Sequence, residues 1–288
     1  MTLAIGRETV VLVGFSKTLL VPLADLLPPD SVVVLEEPSI AAKRDVAKLA
    51  TEYPSVARVI EAEYQTPDAL VDLLRREPAL RSARAVVPGV EYAVAAAADL
   101  AQRLRLPGAG AEAGRVFRDK ARQRAAAASA GIANPAYEVV ASAADAAGFV
   151  RRVGGRCVVK PTARQASLGV RFVTTGDEAA AAFEFAGDVH EATLEPDRGI
   201  ASGVLVEQAV EGEEYSVEAL VARGAVLFAN VTAKRLVPGR HPVELGHRVP
   251  GLPPADARTH ALIDATARLA AATGFRDGAL HAEWIIAR

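Results

Sequence analysis

Short apolar runs rich in β-branched residues alternate with helical patterns over the first 112 residues of the chain. Strands that alternate with helices are typical of parallel sheets, because each helix carries the chain back to the start of the next strand. We therefore expect an α/β domain with a doubly wound parallel sheet over residues 1–112. The predicted strands are Thr9–Gly14, Ser31–Pro38, Ala57–Glu63 and Ala83–Gly89.

The pattern changes after residue 112 and predicts two further parts, a small α+β unit over residues 113–203 and a strand-rich unit over residues 204–288. The predicted helices are Gly114–Gly131, one opened by Ser142 in a capping box with Asp145, one opened at Thr175 or Gly176, and Asp256–Thr273. The predicted strands are Arg156–Pro161, Val170–Val173, Val204–Glu207, Glu214–Val221, Val226–Val231 and Ala279–Ile286.

Composition excludes several classes of function. The chain has 288 residues, 51% of them hydrophobic, and a net charge of −2 with both signs dispersed. It therefore offers no basic face for nucleic acid and no polybasic segment for a membrane surface. No apolar run approaches the ~20 residues that span a bilayer. The single cysteine, Cys157, lies in an apolar run and is expected to be an inert core thiol in a cytoplasmic protein.

Two segments together predict an ATP site. In CVVKP, Lys160 ends an apolar strand, where its charge needs an anionic partner such as a phosphate. In LVEQAVEGEEYSVEAL, a strand delivers Glu207, and the backbone from Gln208 to Val210 is free to pair with an adenine edge. Glu214 follows seven residues after Glu207 and is spaced to reach ribose hydroxyls. The alternatives are a lysine that extends to solvent and ordinary edge-strand carboxylates.

The ordered spacing of these residues resembles the ATP-grasp superfamily, and most closely its amino-acid ligase branch of carboxylate-amine ligases. The intervals that agree are Glu91 to Lys120, Lys120 to Lys160, Lys160 to Glu207, and Glu244 to His247. The resemblance implies a Rossmann-like N-terminal domain, a small lid and a larger antiparallel-sheet domain. It also implies ATP and Mg²⁺ as cofactors, and an amide bond formed between amino-acid-like substrates through an acyl phosphate, with release of ADP and phosphate.

The same resemblance assigns roles to further residues. Lys120 is expected at a phosphate, although Arg124 four residues later makes a solvated basic face an alternative. Ser167 lies in the loop expected to cover the phosphates. The catalytic candidates are His247 and Lys234, and the substrate-binding candidates are Glu244 and Glu91. A structural histidine and a helix-capping glutamate are the alternatives for His247 and Glu91.

Glu283 is the candidate metal ligand. It alternates with apolar neighbours on the last predicted strand, and a carboxylate that points inward there would need a cation. His281 shares its face, so a transition-metal pair is an alternative to Mg²⁺. Family members place a second acidic ligand on the following strand, and this chain ends at Arg288 before it. We therefore expect a C-terminal portion of the family's fold to be lacking.

The expected partners are small amino-acid or carboxylate and amine substrates, with no nucleic acid and no membrane, and a homodimer is compatible with the resemblance. Two alternative functions share the nucleotide motifs. One is a carboxylase-like or purine-pathway ATP-grasp enzyme that uses bicarbonate or a phosphoribosyl amine. The other is a non-catalytic nucleotide-binding module.

Overall fold

The structure is a computed structural model that describes residues 9–66, 68–237 and 244–288. The chain divides into two compact units. Unit 1 extends to Arg118 and also contains His190–Ile200, and unit 2 comprises Asp119–Val189 and Ala201–Arg288. Among the described helices, none combines the length and the apolar character that crossing a bilayer requires.

Unit 1 is built on a four-stranded parallel sheet in the order β3-β2-β1-β4. This confirms the predicted α/β fold with a parallel sheet. Strands β1 and β2 are buried along their whole length, because helices cover both faces of the sheet. The strands are β1 (Val10–Val13), β2 (Val32–Glu36), β3 (Val56–Glu61) and β4 (Ala85–Pro88).

The helices of unit 1 connect and cover these strands. Two apolar clusters form, one on each side of β1 and β2, with Leu73 and Leu100 in one and Phe15 and Leu20 in the other. The helices are α1 (Lys17–Leu26), α2 (Pro38–Arg44), α3 (Val46–Ala50), α4 (Ala69–Arg76), α5 (Val94–Leu104) and α6 (Ala111–Phe117), with 3₁₀ turns at Pro78–Ser82 and Glu91–Ala93.

The segment His190–Ile200 is attached to unit 1 by charged side chains. Glu37, which follows β2 and is 0% exposed, receives two hydrogen bonds of 2.8 and 2.9 Å from the Arg198 guanidinium. Lys43 forms an ion pair of 2.6 Å with Asp197. Unit 1 therefore includes a segment that begins more than 70 residues after Arg118 in the sequence.

Unit 2 contains two antiparallel sheets. The first has the order β5-β8-β6-β7. Its apolar face packs on two helices, and Cys157 lies fully buried in that core, where burial raises the pKa of its thiol. The strands are β5 (Tyr137–Val140), β6 (Cys157–Pro161), β7 (Arg171–Val173) and β8 (Val204–Gln208), and the helices are α7 (Lys120–Ser129), α8 (Ala143–Val153) and α9 (Gly176–Asp188).

The second sheet has the order β11-β10-β9-β12 and one covered face. Side chains alternate between the two faces of a strand, so Tyr215, Val217 and Val231 pack against Leu262 of the following helix while their neighbours face outward. The elements are β9 (Gly212–Ala222), β10 (Ala225–Leu236), β11 (Glu244–Arg248), α10 (Ala257–Thr273) and β12 (Gly278–Ala287).

Several elements of the described residues differ from the sequence prediction. The helix expected over Gly114–Gly131 is two helices, because Asp119 adopts an extended conformation between α6 and α7 and caps α7. Strands β5 and β11 were not predicted. The division at residues 112 and 203 stays a prediction.

We expect Asp119→Ala to lower the free energy of unfolding by about 1 kcal/mol, since it removes an N-cap. The Asp119 carboxylate accepts hydrogen bonds from Ala121 N at 2.8 Å and Arg122 N at 3.0 Å. Urea unfolding followed by circular dichroism measures the change. Asp119→Asn keeps the acceptor and should restore most of the loss. Equal stability of the wild type and Asp119→Ala would show that the cap contributes nothing.

Candidate functional site

Glu207 is a buried carboxylate held by two cations. It lies on β8, an interior strand, and is 5% exposed. Arg124 from α7 donates from Nε to Oε2 at 2.9 Å and from a terminal nitrogen to Oε1 at 3.1 Å. Lys160 at the end of β6 donates to Oε1. The edge-strand alternative for Glu207 is therefore wrong.

The strand register brings Lys160 and Glu207 together. Val158 lies opposite Glu207, and Lys160 lies opposite Leu205, so the two charged residues are diagonal neighbours on one face. Long side chains reach each other across such a diagonal. The Lys160 side chain is only 15% exposed. It does not extend to solvent, in contrast to the alternative considered for it.

The electrostatics of this group leave an excess of positive charge. Burial lowers the pKa of Lys160, and Arg124 lowers it further, while Glu207 acts against both. Burial alone would raise the pKa of Glu207, but Lys160 and Arg124 hold that pKa below its usual range. Two cations share one carboxylate, so an anionic ligand at Lys160 would be electrostatically favoured.

Lys120 approaches the loop that follows Lys160. Its backbone N–H donates to Thr162 O at 3.0 Å, and its Nζ donates to Arg164 O at 2.5 Å. Ser167 lies further along this loop, exposed and in the left-handed region at φ 57°, next to Ala166 at φ 51°. The structure therefore brings Lys120 and Lys160 to the two ends of one loop segment.

The predicted adenine segment lies between two strands. Strand β8 ends at Gln208 and β9 begins at Gly212, so Val210 is outside the strand ladders of the described chain. Glu214 follows on β9. Its pKa is raised by burial and by the carboxylates of Glu283 and Glu244, while Lys234 opposes the rise.

The outward face of the second sheet is polar. Glu214, Ser216 and Glu218 alternate along β9 on this face, and the register places Ile285, Glu283 and His281 of β12 opposite them. On β10, Thr232 lies opposite Ser216. Helix α10 packs on the opposite face of the sheet, against the alternate, apolar residues of the same strands.

Lys234 joins two carboxylates on this face. Its Nζ donates to Glu244 Oε1 at 2.7 Å and also to Glu283 Oε1, and its side chain is 4% exposed. His247 Nε2 lies 3.0 Å from Glu244 Oε2. Because Lys234 and His247 are register partners on β10 and β11, the structure brings four predicted residues together. His247 lies on β11, a strand that the sequence pattern did not predict.

A second carboxylate network lies beside Glu283. Glu218 accepts hydrogen bonds from Ser216 Oγ and Thr232 Oγ1, both at 2.6 Å, and its Oε1 lies 3.1 Å from His281 Nδ1. The hydrogen bond with Glu283 contributes most to a raised pKa of His281. Sequence reasoning missed Glu218, although its alternation with Glu214 was a usable signal.

Glu283 differs from its prediction. Its side chain is 64% exposed and faces outward, so the expectation of an inward-pointing carboxylate is wrong. His281 and then Lys234 lower the pKa of Glu283 to about 2, so it is ionised at neutral pH. Mg²⁺ prefers one or two protein carboxylates together with phosphate and water oxygens. Glu283 fits that ion, and the described residues contain no cluster of three or more His, Cys, Asp or Glu around a metal position.

Glu91 lies in unit 1, apart in sequence from the other candidates. It begins the 3₁₀ turn after β4, at the carboxyl end of a parallel strand, as predicted. Its carboxylate forms an ion pair of 2.7 Å with Arg118. Its assignment to a substrate stays a prediction.

Comparison with known proteins finds a family model that matches the C-terminal part of the chain. Residues 153–288 match the family model described as the ATP-grasp domain. Over 102 residues the chain is 32% identical to the D-alanine–D-alanine ligase of Marinobacter nauticus, an alignment that covers 35% of this chain and 28% of that protein.

Solved structures show the same fold over nearly the whole chain. An L-amino acid ligase from Bacillus licheniformis superposes with a TM-score of 0.70 at 18% identity, over 98% of this chain and 64% of that one. An N5-carboxyaminoimidazole synthetase from Staphylococcus aureus complexed with ADP gives 0.68 at 15% identity, over 98% and 67%. The chain thus spans under two thirds of the first of these solved proteins and under a third of the curated relative.

Proposed function

We propose that the protein is an ATP-dependent carboxylate-amine ligase that joins amino-acid-like substrates. A substrate carboxylate oxygen attacks the γ-phosphorus of ATP, and ADP leaves. The amine nitrogen then attacks the acyl phosphate carbon, phosphate leaves with the bonding electron pair, and the amine gives up a proton. The likeness to an L-amino acid ligase and to a D-alanine–D-alanine ligase supports this reaction class.

The observation that carries the proposal is the buried Glu207 with its two cations, next to Lys120 and the loop after Lys160. An excess of positive charge in a partly buried site favours a polyphosphate. Lys160 and Lys120 would neutralise the nucleotide's phosphates, and Glu207 would accept a hydrogen bond from the adenine amino group. The backbone of Gln208 and Val210 and the carboxylate of Glu214 would hold the base edge and the ribose.

The cluster of Lys234, Glu244 and His247 supports the amide-forming half of the reaction. An imidazole near the acyl group can accept a proton from the substrate ammonium, which frees the nitrogen lone pair that attacks the acyl carbon, and Glu244 orients that imidazole. Lys234 supplies positive charge toward the transferred phosphoryl group. Catalysis of this kind consists mainly of positioning and charge neutralisation.

Glu283 is the residue proposed to hold Mg²⁺, together with oxygens of the nucleotide. When bound, the ion would neutralise phosphate charge. Glu283 forms an ion pair with Lys234, so Lys234 and Mg²⁺ would compete for the Glu283 carboxylate. Retention of Mg²⁺ in the absence of nucleotide should therefore be weak.

We expect Lys160→Met and Glu207→Gln each to lower the affinity for Mg-ATP about tenfold or more, because a charge-assisted contact contributes about 1.5–3 kcal/mol. Isothermal titration calorimetry on the purified protein measures this. Arg122→Gln, an exposed position on α7, serves as the matched control and should bind like the wild type. Unchanged affinity in both site variants would remove these residues from the nucleotide site.

A second candidate function follows from the likeness to the N5-carboxyaminoimidazole synthetase. A carboxylase-like or purine-pathway enzyme would share the nucleotide site and use bicarbonate or a phosphoribosyl amine. Phosphate release measured with amino-acid pairs and with bicarbonate distinguishes the two. ATP binding without phosphate release in either assay would favour a non-catalytic nucleotide-binding module.

A further inference from the structure

We propose that Arg124 is a positioning residue that keeps Glu207 neutralised and oriented when Lys160 transfers from that carboxylate to the nucleotide's phosphates. This inference rests on the proposed nucleotide site. Lys160 is expected to bind phosphate, yet its ammonium is bonded to Glu207 in the present structure. An ammonium that turns toward a phosphate neutralises Glu207 less completely, so Glu207 then needs a second cation.

The burial of Glu207 makes this requirement strict. The residue is 5% exposed, and its strand is interior to the sheet. Removing one partner from a buried ion pair costs several kcal/mol, because the remaining charge is left without water or counter-ion. If Lys160 were the sole cation at Glu207, its departure to a phosphate would carry that cost and would oppose nucleotide binding.

Arg124 has the geometry to prevent this. Its guanidinium contacts both oxygens of Glu207 in a two-point arrangement, at 2.9 and 3.1 Å. Such a planar fork fixes the direction of a carboxylate, whereas a lysine ammonium is a point charge on a flexible stem. An ionised carboxylate has about four acceptor positions. Hydrogen bonds from Arg124 and Lys160 occupy three of these acceptor positions, so the fourth is available to an amino group of a ligand.

Arg124 is itself held in place from the backbone. It lies on α7, whose first turn is capped by Asp119, and its carbonyl accepts a hydrogen bond of 2.8 Å from Asn134 Nδ2. Its charge also disfavours a second cation at the same carboxylate, which agrees with the lowered pKa of Lys160. Arg124 thus holds Glu207 and weakens the hold of Lys160 on it.

The test is a set of affinities for Mg-ATP and for Mg-tripolyphosphate, which lacks adenine and reports on the availability of Lys160. We expect Arg124→Gln to lower both affinities about tenfold, equivalent to about 1.4 kcal/mol. Arg124→Lys keeps the charge and should recover part of the loss. Arg122→Gln, the matched exposed arginine, should change neither affinity.

The Glu207→Gln background separates positioning from direct contact. In this background Lys160 has no carboxylate to leave when it binds phosphate. Adding Arg124→Gln should therefore change either affinity by less than about threefold, a clear departure from additivity. A full tenfold loss in that background would make Arg124 a ligand contact and overturn the proposal. So would loss of Mg-ATP affinity alone with tripolyphosphate unaffected, or an Arg124→Gln variant that binds both as the wild type does.

Two controls distinguish a variant that fails to fold from a variant that folds and fails to bind. Thermal unfolding of each variant shows whether the affinities refer to folded protein. If Arg124→Gln does not fold, Arg124→Lys and the Arg124→Gln/Glu207→Gln pair, which contains no stranded carboxylate, carry the comparison. A wild type that binds neither Mg-ATP nor Mg-tripolyphosphate would contradict the proposed function itself, whereas wild-type binding with unaffected Arg124 variants would contradict only this inference.

Discussion

Replacing His247 by alanine is expected to lower the rate of amide formation about 10²- to 10⁴-fold while the affinity for Mg-ATP stays within about twofold of the wild type. His247 is half exposed on β11 and is oriented by Glu244. Loss of a positioned acid-base group affects the chemical step. It should not affect nucleotide binding, since Glu207 and Lys160 lie on the other sheet of unit 2 and Arg124 lies on α7.

The measurement uses the natural protein with an amino-acid pair that gives amide, and compares product formation with calorimetric Mg-ATP binding. Glu244→Gln should reduce the rate in the same way, because the imidazole loses its charged partner. His260→Ala, on the exposed side of α10, is the matched control and should retain the wild-type rate. Folded His247→Ala with full activity would remove this residue from the site, and a strongly lowered melting temperature would instead identify a structural histidine.

Replacing Arg198 by methionine is expected to lower the free energy of unfolding by about 3–5 kcal/mol, the usual cost of stranding a buried charge. Glu37 is 0% exposed, and both of its carboxylate oxygens are bonded to Arg198. In the variant, the backbone N–H of Gln65 is the remaining described donor to that carboxylate. This is the largest stability effect that we expect from an ion pair in unit 1.

Urea unfolding at neutral pH measures the loss, with two comparisons. Arg75→Met breaks the exposed pair with Asp72, whose side chains are 63–74% exposed, and should change stability by no more than about 0.5 kcal/mol. The double variant Arg198→Met/Glu37→Leu removes both charges and should recover much of the stability. A loss for Arg198→Met as small as that for Arg75→Met would show that Glu37 finds another partner.

The parallel sheet of unit 1 could be predicted because its strands are continuous apolar runs separated by helices. Strand β11 could not be predicted in this way, since its residues are exposed or half exposed and leave no apolar alternation. The break at Asp119 was hidden by an alanine-rich sequence that suits a helix on both sides. The local sequence pattern therefore predicted the buried strands correctly, but it did not predict the edge strand β11 or the break between α6 and α7.

The candidate site followed the same division. Lys160 and Glu207 could be selected as candidates because a charge at the end of an apolar strand is unusual within its own segment. Arg124 could not, because its partner lies 83 residues away and the sequence near it suits a solvated helix face equally well. Which cation meets which carboxylate is decided by strand register and helix placement, and neither is encoded locally.

The attachment of His190–Ile200 to unit 1 has a consequence for the order of events during synthesis. Glu37 leaves the ribosome 161 residues before Arg198 does. N-terminal domains commonly fold first as the chain grows. Here Arg198, the counter-ion of Glu37 in unit 1, becomes available only after α7, α8, α9 and strands β5 to β7 have been translated. A nascent chain stalled anywhere in that interval would carry a parallel sheet with an uncompensated carboxylate beside it, a natural target for chaperones.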